Sequence, residues 1–110
     1  MIKKLRIAWF MFFALFCTPT AAFAGGAPDV EAGAHIAQTF CAKCHAVGKT
    51  GESPFEPAPP FRTFQQKWPL EDIEEALAEG IVVGHDAMPA FELSENQIAD
   101  LIGYLHTLDK

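Results

Sequence analysis

The chain opens with a basic stretch (Lys3, Lys4, Arg6), followed by an unbroken apolar run from Ile7 to Phe16. Small and polar residues follow, ending in Ala22-Phe23-Ala24. This three-part pattern predicts a secretory signal peptide, residues 1–24, cut after Ala24 to leave a domain over 25–110. An apolar run of ten residues is too short for a bilayer core of about 30 Å, so no stable membrane insertion is expected after cleavage. An uncleaved anchor is the alternative.

Beyond the leader the pattern turns helical. In residues 29–40, Val30, Gly33, Ile36, Ala37 and Phe40 recur at helical spacing behind Asp29, a good N-cap. Residues 46–60 read as loop, because Gly48, Gly51, Pro54, Pro57, Pro59 and Pro60 interrupt any regular element. A short helical stretch is expected over 62–67. Pro69 then opens a helix with Glu71 and Asp72 at its positive end, and Leu70, Ile73, Leu77 and Ile81 fall on one side. Gly80 is its natural stop. The last pattern is the clearest: Ser94 and Gln97 form a capping box, Leu93 and Ile98 a hydrophobic staple, and Ile98, Leu101, Ile102, Leu105 and Leu108 an apolar stripe. Ile81-Val82-Val83 is too short to found a sheet. The prediction is an all-α domain of three to four helices, with long loops that need something to pack on.

Removing the leader changes the composition. The remaining 86 residues carry all fourteen acidic side chains but only five basic ones, a formal charge of −9. Such a surface disfavours nucleic acid and anionic lipid and steers the protein toward positive patches on a partner; simple solubility is the plainer reading. Cys17 leaves with the leader, so Cys41 and Cys44 alone enter an oxidising compartment. A chain this short has a thin core and often depends on a cofactor, metal or bridge.

The chemistry lies in Cys41-Ala42-Lys43-Cys44-His45. Cysteines three apart on a helical turn face the same way, so each thiol can add to one vinyl group on a haem edge. His45 is rotated to reach the iron. This is the spacing of covalent haem c attachment. The rivals are weaker. A structural zinc site wants four ligands, and only scattered His35, His85 and His106 remain. A redox dithiol wants a strand–helix–strand context. A bridge between residues three apart closes little loop entropy.

Elimination narrows the second axial ligand. Met1 and Met11 leave with the leader, and Met88 is the one thioether that stays. Pro89 holds its backbone extended, which suits a side chain aimed inward from a loop. His85 is the competing ligand, and a methionine filling a core gap is the structural alternative. A thioether on iron raises the potential.

With these parts in place the chain resembles the class I monohaem bacterial cytochromes c along nearly all of its mature length. The shared order is a helix into Cys-x-x-Cys-His (29–45), a proline loop (46–61), a middle helix (70–80), a Met-Pro loop (84–91) and a final helix (94–108). The resemblance implies a cytochrome c-like fold wrapped around one covalent haem. It implies that Gly33 lets the terminal helices cross closely, with Leu101 and Tyr104 opposite. It implies that a proline carbonyl, best matched by Pro59 with Phe61 two residues on, accepts a hydrogen bond from the ligand imidazole. Ala37 stands where the family often has an aromatic. Trp68 and Arg62 are candidates to meet the haem propionates, their alternatives being a core aromatic and a solvated loop cation. His35 and His106 are expected on polar helix faces.

The expected function is single-electron transfer by a periplasmic monomer that docks transiently with redox partner proteins and is not an enzyme. The alternatives are the haem subunit of a periplasmic dehydrogenase or oxidase, and a haem sensor or peroxidase-like protein with an open iron site.

Overall fold

The computed structural model describes Thr18, residues 26–80 and residues 88–108. The expected leader, the Ile81-Val82-Val83 run and His85 lie outside the described residues. Among the described residues every regular element is helical: α1 (Val30–Ile36), α2 (Phe64–Lys67), α3 (Leu70–Glu79) and α4 (Glu95–His106).

Asp29 caps α1, its carboxylate accepting the Ala32 N–H at 2.9 Å. Its own N–H donates to the Asp100 carboxylate at 2.7 Å and ties the start of α1 to α4. The expected helix over 29–40 is α-helical only as far as Ile36. It then widens into a π turn, Ala37–Cys41, in which Ala42 N–H donates to the Ala37 carbonyl at 3.0 Å. Thr39 explains the change. Its hydroxyl donates to the His35 carbonyl at 2.7 Å and so competes with the α-helical ladder. Gly33, Ile36 and Ala37 are buried, whereas Val30 is 41 % and Phe40 44 % exposed. The widened turn shifts the register between Ala37 and the side chains after it.

Pro69 stands just before α3 with φ −57° and ψ 137°, and Gly80 ends that helix in the left-handed region with φ 69°. A β-carbon disfavours that conformation, so a glycine suits the stop. The capping box of α4 forms as its sequence implies: Gln97 N–H donates to Ser94 Oγ at 3.2 Å, and Ser94 N–H to Gln97 Oε1 at 2.9 Å.

α1 and α4 cross closely at Gly33. A β-carbon there would overlap the Asp100 carbonyl and lie 2.9 Å from Tyr104 Cβ. The residues opposite are therefore Asp100 and Tyr104. Leu101, the other residue expected there, is buried in the core cluster that also holds Ile36, Ile102 and Leu105. A second close approach has no counterpart in the sequence reading: a β-carbon on Gly103 would sit 2.6 Å from Pro28 Cβ. Leu70 and Ile73 of α3 complete the core against α4. This crossing is the frame from which the loops at 42–60 and 88–94 hang. Among the described residues no helix is long and apolar enough to cross a membrane.

Candidate functional site

The motif Cys41 to His45 winds around a single carbonyl. Cys44 and His45 both donate their N–H groups to the Cys41 carbonyl, at 3.1 and 2.9 Å. The loop that follows closes back on this turn. Phe55 N–H donates to the Cys44 carbonyl at 3.2 Å, Ala46 N–H to Ser53 Oγ at 3.0 Å, and Phe61 N–H to the Ala46 carbonyl at 2.9 Å. Tyr104, in the last turn of α4, donates its hydroxyl to the Val47 carbonyl at 2.6 Å. Prolines exclude regular structure from this loop, and these bonds to fixed neighbours hold its path instead.

His45 is the buried polar side chain among the described residues. Its Nδ1 lies 2.7 Å from the Pro59 carbonyl. A carbonyl only accepts, so Nδ1 carries the proton and the basic lone pair falls on Nε2. Phe61 and Phe64 brace the ring, with centroids 5.1 and 5.8 Å away. Phe64 also meets Phe61 at 4.8 Å and Trp68 at 5.8 Å, making one aromatic wall.

Cys41, Cys44, His45, Pro59, Phe61, Trp68 and Met88 all line one cavity of about 490 Å³. That size is within the range of small-ligand and cofactor sites. Arg62 does not join them: its Nη1 donates to the Gly51 carbonyl at 2.7 Å and braces the loop. Trp68 is 38 % exposed, at the rim rather than in a core. Sequence reasoning leaves out Phe64, whose spacing from Phe61 and Trp68 is that of a helical stripe. It also leaves out Phe91, Leu93, Ile73 and Leu77, which line the same cavity from α3 and from the segment before α4. His35 and His106 are exposed on their helices.

The donor chemistry can be tested against the rivals. Burial pushes the Cys41 thiol up to about 11, away from the lowered values that make a reactive thiolate. Cys41 and Cys44 are not bridged to one another. Among the described residues no three His, Cys, Asp or Glu side chains converge as metal ligands. Two thiols one turn apart, an imidazole of defined tautomer and a thioether on an apolar wall do fit a covalently held haem.

Comparison with known proteins agrees with this geometry. Residues 28–105 match the family model described as cytochrome c oxidase, cbb3-type, subunit III. The chain is 34% identical over 111 residues to cytochrome c6 of Picosynechococcus sp., covering 96% of this chain and 92% of that protein. It is 29% identical over 82 residues to cytochrome c-552 of Bradyrhizobium diazoefficiens, covering 74% and 77% of the two chains. No solved structure matches it.

Proposed function

The chain belongs to the class I monohaem c-type cytochromes, and we propose that it is an exported single-electron carrier, not an enzyme, with His45 and Met88 as the residues that would ligate the iron of its one haem. The carrying observation is the convergence of Cys41, Cys44, His45 and Met88 on one apolar cavity, with His45 already oriented by Pro59. Bound there, haem c supplies one-electron exchange at its iron.

The protein's own residues do the rest. Cys41 and Cys44 tether the group at two points on one turn. The Pro59 carbonyl holds the His45 ring in the tautomer a metal needs and raises its basicity. Met88, stiffened by Pro89, supplies the second ligand from a loop. Phe61, Phe64 and the side chains facing them exclude water, which favours the less charged reduced state. A packed set of ligands changes little between oxidation states and keeps reorganisation small. Trp68, on the cavity rim, serves as the indole donor to a propionate. Arg62 serves the loop.

Residues 1–24 are removed on export, so the working protein is a periplasmic monomer of formal charge −9 that docks transiently with redox partners bearing positive patches. The match to an oxidase-subunit family supports a second reading, residence in a larger complex. Co-purification with a membrane oxidase would favour it over a free shuttle.

The test is an intact mass and a visible spectrum of the exported protein. Residues 25–110 plus one haem resistant to acid extraction are expected; colourless protein ends the proposal. Met88→Ala should lower the midpoint potential by on the order of 100 mV. An unchanged potential removes Met88 from the iron.

A further inference from the structure

One ring contact joins the two ligand-bearing segments across 51 positions of sequence. Phe40, directly before Cys41, meets Phe91, three residues after Met88, with centroids 6.0 Å apart and planes tilted by 56°. Both rings line the cavity. Phe40 is 44 % exposed, so its ring is no part of the helical core. The π turn Ala37–Cys41 carries it there.

We propose that the Phe40–Phe91 pair is a positioning contact for Met88, setting how readily a foreign ligand displaces the thioether. The proposal rests on the reading of Met88 as iron ligand. Leu93 packs on the core and Pro89 stiffens the backbone at Met88. Between these two points, Phe91 reaches the cysteine-bearing turn through its ring contact with Phe40. When the rings part, the segment holding Met88 loses its tie to the turn that holds the haem edge. Tilted aromatic pairs of this geometry shift such a two-state balance by about threefold to tenfold.

The test uses ferric holoprotein. The rate of imidazole binding to the iron and the sulfur-to-iron charge-transfer band are measured for wild type, Phe40→Ala, Phe91→Ala, the double variant, Met88→Ala and Ile102→Val. Ile102 is a core residue that does not line the cavity. Each ring truncation should speed imidazole binding about threefold to tenfold and weaken the band. The double variant should go no further than the larger single effect, because both remove one contact. Ile102→Val should keep the wild-type rate. If the ring variants bind at the wild-type rate while Met88→Ala binds fast, Met88 remains the ligand and the pair has no positioning role. If Ile102→Val accelerates binding as much as they do, general loosening replaces the proposal. If Met88→Ala itself keeps the wild-type rate and band, the ligand assignment fails and the proposal falls with it.

Discussion

The α1–α4 crossing and the cavity wall are built by opposite means. At the crossing, backbone meets backbone: Gly33 lies against the Asp100 carbonyl, and Ile102 fills the core beside it, while Leu101 and Leu105 reach from that core to the cavity. At the cavity, side chains from four separate segments leave about 490 Å³ between them, and the bonds that hold the wall are loop bonds such as Tyr104 to Val47 and Phe61 to Ala46. The crossing therefore carries stability and the wall carries chemistry. Most substitutions should move one property and leave the other, which makes the division easy to attack.

The largest change is expected at the wall. Cys41→Ala with Cys44→Ala should abolish covalent haem, read as pigment lost on acid extraction; retained pigment would break the division at its chemical end. At the crossing, Gly33→Ala forces a methyl group into the Asp100 carbonyl and should cost about 3 kcal/mol. Thermal unfolding of the holoprotein reports that loss, while the potential of the folded fraction should stay put. A matching shift in potential would show that the two regions are one. Tyr104→Phe tests the seam, because Tyr104 flanks Gly33 and also bonds the loop after His45. Losing the hydroxyl should cost about 1–2 kcal/mol and speed amide exchange around Val47. Equal exchange in both proteins would mean that the bond does not hold the loop. Ser94→Ala removes one half of a capping box and should cost about 1 kcal/mol with no spectral change. A cost indistinguishable from zero would show that core burial alone sustains α4.

Local chemistry made α3 and α4 readable in advance. Pro69, Gly80, Ser94 and Gln97 act within a few residues of themselves, and their effects are written in short spacings. The cysteine motif is equally local, since its meaning lies in five consecutive positions. α1 was readable as a helix from its start, where Asp29 caps, but the widening of its last turn was not. A single threonine hydroxyl bonding back to His35 opens the turn, and residue periodicity does not register that competition. Arg62 shows a different gap. Its charge suggested the haem edge, yet a backbone carbonyl eleven residues away takes its guanidinium.

By itself, then, the order of residues determined the helical elements of the folded domain, their caps, the covalent attachment chemistry and the short list from which a second ligand is drawn. These follow from interactions reaching one or two helical turns. Only the tertiary structure decided that the Asp100 carbonyl meets Gly33, that Gly103 rests on Pro28, that Phe64 backs His45 and that Phe40 meets Phe91. Those contacts join segments tens of residues apart. Their partners are selected by how whole elements pack, so no local pattern announces them.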